Sequence, residues 1–153
     1  MHDADAEIIK AFEKTRNVTI ELAKRIPAGW LSRTPDGEGA PLNALLCHAG
    51  CGEAGWLHIF GDGGPRHVPP PADIHAIVDA MRVSQQRTLA FFQKNDAQAM
   101  SQTFAWTDES GQELEWHGRE RLLYLIAHET HHRGKIVLAL RQWGFDRFPF
   151  IPF

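Results

Sequence analysis

From Asp3 to Ile26 apolar residues recur three and four apart. Ile8, Ile9, Phe12, Val18, Leu22 and Ile26 lie near one side of an amphipathic helix that Pro27 ends. Ala28 to Ala40 is rich in Gly and Pro and is expected to be loop. Pro41 is placed to open a second helix reaching about Phe60, where Gly61-Asp62-Gly63-Gly64-Pro65 stops it. Pro69-Pro70-Pro71 makes a stiff connector, and a third helix is predicted from about Ala72 to Lys94. Between Ser101 and His117 the period changes to two. Phe104 and Trp106, then Leu114 and Trp116, alternate with polar residues around Asp108-Glu109-Ser110-Gly111, which predicts a β-hairpin. A ribbon that small is expected to pack on the helices. A fourth helix is predicted from Arg119 to Trp143 with Gly144 as its stop, and the aromatic tail Phe145 to Phe153 is expected to fold back on the helices. The pattern predicts an all-α, up-down-type four-helix bundle, one domain over 1–153, with the hairpin inserted between its third and fourth helices.

Composition narrows the class without naming a function. The chain has 153 residues, enough for one domain that buries about two-thirds of its unfolded surface. Its 43% hydrophobic and 23% charged content are those of an ordinary globular protein. A net charge of −3 without a clustered Lys/Arg stripe gives no reason to expect nucleic acid, and no apolar run is long enough to span a bilayer. The acidic N-terminus lacks the features of a signal peptide, and Cys47 and Cys51 share one predicted helix, which disfavours a disulfide; a reducing cytoplasm is the expected compartment.

Spacing singles out some of the nine histidines. His128-Glu129-Thr130-His131-His132 lies within the fourth helix, where residues four apart stand about 40° apart and one turn above one another, so His128 and His132 can reach one ion. Against the stripe of Leu122, Leu125, Ile126, Ile136, Val137, Leu140 and Trp143, His132 falls about 70° and His128 about 110° from the centre. Both therefore edge the core. His131 points further out and is ranked a surface or outer residue. On the second helix His48 shares a face with Leu45, Cys51, Gly52, Gly55 and Ile59. Alone it would be a hydrogen-bonded core residue. Gly50, Gly52 and Gly55 each cost about 1 kcal/mol relative to Ala inside a helix, so they imply either close helix packing or open space around His48. Cys51 is a possible extra thiolate ligand, although a small buried hydrophobe is its commoner role. Glu129 and Arg133 lie nearer the apolar stripe and are expected to form a buried ion pair. The alternative makes Glu129 a catalytic residue that orients or deprotonates something held by the metal. Three neutral nitrogens with a position left open describe a reactive centre rather than a structural one.

The string also matches H-E-x-x-H, but a zinc protease needs a third ligand downstream, and no Glu or His follows His132. No Ser/His/Asp set and no phosphate loop competes, since Gly61 to Gly64 lacks a following Lys-Ser/Thr. Trp56, Trp106 and Trp116 fit a pocket lining or ordinary core packing equally well.

The order of parts resembles the DinB/YfiT-like family of small metal-binding four-helix bundles. The resemblance runs over nearly the whole chain and is carried by Leu45-Leu46-Cys47-His48-Ala49 and by His128-Glu129-Thr130-His131-His132-Arg133-Gly134-Lys135-Ile136. Leu140-Arg141-Gln142-Trp143-Gly144 follows. A Gln more usually stands in the family where this chain has Lys135. The resemblance implies metal ligands at His48, His128 and His132, a divalent ion, most commonly zinc or nickel, and commonly a homodimer. It does not imply one reaction. Relatives include transferases and isomerases that use low-molecular-weight thiols such as bacillithiol or mycothiol, and metal-dependent hydrolases. Three functions follow as expectations. The first is a metal-dependent enzyme, a thiol S-transferase or hydrolase acting on a small molecule. The second is a non-catalytic metal-binding or stress-response protein. The third is a metal-free helical interaction module.

Overall fold

Helical periodicity and stop signals lay out most of the observed architecture. In the computed structural model, which describes residues 3–94, 96–107 and 110–149, α1 runs Asp3–Ala23 and a single 3-10 turn follows at Ala28–Trp30. Next come α2 (Leu42–Cys51), α3 (Ala54–Ile59), α4 (Ile74–Lys94) and α5 (Asp96–Ser101). Strands β1 (Thr103–Thr107) and β2 (Glu113–His117) precede α6 (Gly118–Gln142). The fold is mostly helical with one small two-stranded antiparallel sheet. Helix α1 packs on α6, α4 and α2, and α2 packs on α4 and α6. No helix among the described residues is long and apolar enough to cross a membrane.

Two elements depart from the sequence reading. The helix expected from Pro41 to Phe60 is divided at Gly52 and Glu53 into α2 and α3, although both residues keep helical torsions (φ −61° and −73°). Glycine tolerates the local loosening, and Glu53 follows it with its carboxylate turned into the core, 1% exposed. The short α5 was not predicted; its Ala99 and Met100 are buried against the residues that open α6. Six residues give too little periodicity to read. The hairpin forms as expected, with Phe104 opposite Trp116 and Trp106 opposite Leu114. Its predicted turn residues Asp108 and Glu109 lie outside the described residues. Phe104 packs on Phe60 and Phe91 with ring centres 4.2 and 5.7 Å apart, which docks the ribbon on α3 and α4. The tail folds back through Phe145, 6% exposed against Trp30, and Arg25 donates to the Phe148 carbonyl at 3.0 Å; residues 150–153 lie outside the described set.

The core has two apolar clusters with a polar layer between them. One gathers Ile20, Leu42, Leu46, Met81, Ile136 and Leu140; the other gathers Phe12, Trp56, Phe92, Met100, Leu122 and Leu125. Along each helical stretch the residues between the clusters are buried and polar: Arg16 and Thr19 on α1, Glu53 before α3, Ser84 and Thr88 on α4, Glu129 on α6. Arg16 binds Glu53 at 2.8 Å and Glu129 at 3.0 Å and donates to the Met81 carbonyl at 3.3 Å. Desolvation alone would loosen the Arg16 proton, but the two carboxylates outweigh it and hold the guanidinium charged.

Candidate metal centre

Helices α2 and α6 bring the three predicted histidines together. His48 lies in the last turn of α2, and His128 and His132 stand one turn apart near the middle of α6. One ring nitrogen from each falls within 4.8 Å of the others, and they are the only such group of His, Cys, Asp or Glu among the described residues. The Nε2 atoms of His48 and His128 are 3.2 Å apart. Three nitrogens bound tetrahedrally to one zinc ion at about 2.05 Å would stand about 3.3 Å from one another. The spacing therefore fits a shared ion, and imidazole donors suit zinc or nickel.

Protonation favours the same fit. Burial lowers the pKa of His128, and His48 beside it lowers it further. His132 is pushed down to about 4, first by burial and then by His128 and His48. Both rings are thus held in the neutral form a metal requires. His48 is exposed and the other two half-buried, so the group is open to solvent on one side.

The glycines split between the two roles expected of them. A Cβ on Gly50 would meet the Met81 side chain at 2.6 Å, so that glycine serves close packing of α2 on α4. A Cβ on Gly52 would stand 3.3 Å from Cε1 of His128, so that glycine leaves room for the ring. Gly55 lies across from the Arg66 carbonyl at the edge of a cavity of about 300 Å³. The cavity is lined by Cys47, His48, Cys51, Arg66 and His67 among others, and is a volume at the small end of ligand sites.

The remaining predicted residues take other positions. Cys51 is a free thiol, 5% exposed and outside the nitrogen group; its pKa is pushed up by its hydrogen bond with the Cys47 thiol and by burial, which suits a buried hydrophobe. His131 is exposed and packs its ring on His132 at 5.2 Å. Glu129 does not pair with Arg133, as expected from their spacing. Its partner is Arg16, and Arg133 instead donates to the Thr15 carbonyl and the Thr19 hydroxyl, both at 3.0 Å. The carboxyl of Glu129 is raised by burial and only partly offset by Arg16. Tyr124, which the sequence reading passed over, stacks on His128 with ring centres 5.7 Å apart and planes 30° apart. Its place four residues before His128 was the available signal.

A model of the DinB family matches residues 1–151. The chain belongs to the DinB family. It is 23% identical over 153 residues to YjoA of Bacillus subtilis strain 168, described as uncharacterized, with 94% of each chain covered. The solved structure of that DinB-like protein superposes with a TM-score of 0.70, at 22% identity and covering 95% of this chain and 96% of the other. A second DinB-like protein, from Bacillus cereus ATCC 10987, gives 0.69 at 18% identity over 95% of each chain. At such identities the likeness establishes the DinB-like fold.

Proposed function

We propose that this DinB-family protein is a metal-dependent enzyme acting on a small molecule, with a divalent ion on His48, His128 and His132 and thiol S-transfer or hydrolysis as its chemistry. The observation that carries this is the approach of His48 and His128 to 3.2 Å from two helices, 80 residues apart in the chain, on a face open to solvent. A zinc or nickel ion held there by neutral ligands would keep its full charge and lower the pKa of a water or thiol toward about 7, making the nucleophilic form available. The chain's own part is to keep His128 and His132 unprotonated, to leave room beside Gly52, and to offer the cavity next to His48 to a substrate. Glu129, buried on Arg16, enters as a positioning residue that fixes the helix between the two α6 ligands, in place of the direct acid–base role considered for it.

The same reading takes the helical stretches α1, α2–α3, α4 and α6 as one four-helix bundle over 1–153, working as a homodimer in the cytoplasm. It involves no nucleic acid and no membrane. Elemental analysis of protein purified without an affinity tag tests it. About one equivalent of metal, lost in His128→Ala, is expected. Less than about 0.2 equivalents, unchanged by that substitution, would overturn the reading. A screen of thiol conjugation and small-molecule hydrolysis then separates enzyme from passive binder. Turnover that survives loss of all three histidines would exclude the mechanism.

A further inference from the structure

Next to the histidine group two buried donors lack an acceptor among the described residues. Trp56 is 6% exposed and its indole Nε1 has no partner; Nε of half-buried Arg121 has none either. The two side chains are neighbours. The guanidinium carbon of Arg121 lies 5.6 Å from the Trp56 ring centre, 5.3 Å from Trp116 and 4.9 Å from Tyr124. No salt bridge among the described residues includes Arg121. The charge of Glu53 reaches it, but that carboxylate is held by Arg16 at 2.8 Å and by the Thr88 hydroxyl at 3.4 Å.

Arg121, Tyr124, His128 and His132 follow one another at intervals of three and four along α6, so they share one face of the helix. Tyr124 bridges them, with the guanidinium over its ring and its ring stacked on His128. Folded proteins satisfy more than about nine in ten buried donors. Two adjacent donors without acceptors, one ring away from a candidate ligand, therefore mark a place for oxygen atoms from outside the chain. A guanidinium walled by aromatic rings is poorly screened and matches a carboxylate in shape and charge. Arg66, at the cavity next to His48, is solvent-exposed and screened by comparison.

We propose that Arg121 and Trp56 form an oxyanion subsite that takes the carboxylate of a small substrate whose other end reaches His48, His128 and His132. This rests on the metal reading above.

The test uses the full chain loaded with cobalt(II), whose visible bands report the metal and whose near-ultraviolet sulfur band reports a thiol reaching it. The probes are ω-mercaptocarboxylates of two to six carbons and the mercaptoalcohols of the same lengths. At one length the wild type should bind the carboxylate at least about tenfold more tightly than the alcohol. In Arg121→Gln and in Trp56→Phe that ratio should fall to about twofold or less. The ratio is taken within each variant, so a variant with weaker cobalt binding still reports. Visible bands with equal affinity for acid and alcohol in the wild type would overturn the subsite alone, as would a preference that survives both substitutions. Absence of cobalt bands would overturn the metal reading and the subsite with it.

Discussion

Arg16 of α1 and Glu129 of α6, 113 residues apart in the chain, meet at 3.0 Å inside the core, each no more than 2% exposed at the side chain. The same guanidinium holds Glu53. Two buried carboxylates are tolerable there because one cation serves both. The clamp also adjoins the histidine group at two points of the chain, since Glu129 stands between His128 and His132 and Glu53 follows Gly52, which borders the His128 ring.

Arg16→Met keeps the apolar stem and removes the charge, leaving both acids unpaired. It should lower the unfolding free energy by about 3–5 kcal/mol. Urea denaturation followed by circular dichroism measures it; a loss under about 1 kcal/mol would mean that the carboxyls escape to water or take up protons at little cost.

Gly52→Ala places a methyl 2.9 Å from the His48 carbonyl oxygen and 3.3 Å from His128. Zinc affinity should fall about tenfold, the effect expected when a ligand's surroundings are displaced. Competition against a chromophoric chelator reads this directly, and an unchanged constant would show that the ring has slack.

The same substitution at two positions of α6 should have opposite signs. A Cβ on Gly118 would sit 1.8 Å from the Ala99 carbonyl oxygen, which is backbone of α5 and cannot step aside, so Gly118→Ala should destabilise by about 1–3 kcal/mol. Gly134 is exposed within the helix with nothing near its missing Cβ, so Gly134→Ala should stabilise by roughly 0.5–1 kcal/mol. Melting temperatures that move the same way would contradict this packing of α5 on α6.

Proton counting tests the state of the ligands. At pH 6 three ordinary imidazoles with pKa near 6.5 would release about 2.3 protons on binding one metal ion. With His128 lowered and His132 at about 4, clearly fewer should be released, read by calorimetry in buffers of different ionisation enthalpy. The sign for stability follows. His132 titrates below its ordinary 6.5 when folded, so the unfolded chain takes up the proton first. The metal-free protein keeps this contribution fully above pH 6.5 and loses it as pH falls toward 4.

Periodicity made much of this molecule legible in advance. The long helices and the hairpin, which sets Phe104 opposite Trp116, follow from regular spacing, where one residue's direction fixes the next, whereas the grouping of His48 with the pair on α6 was expected from the family resemblance. What escaped depends on contacts between distant segments. Glu129 was expected to pair with Arg133 because the two are one turn apart, yet a partner on another helix won. Arg16 carried a usable signal: it falls four residues after buried Phe12 and seven before buried Ala23, on the apolar side of α1, where a charge requires a counter-charge. The break at Gly52 left less trace, because three glycines weaken a helix without saying which one yields.

The eighty-residue separation of His48 from His128 has a consequence for endurance. An ion gripped by both closes a large loop of chain, as a reversible crosslink between early and late segments. Its grip adds to the folded state's advantage in proportion to the logarithm of free metal. Resistance to heat and to proteases would then rise and fall with the metal supply around the molecule, even with every side chain unchanged.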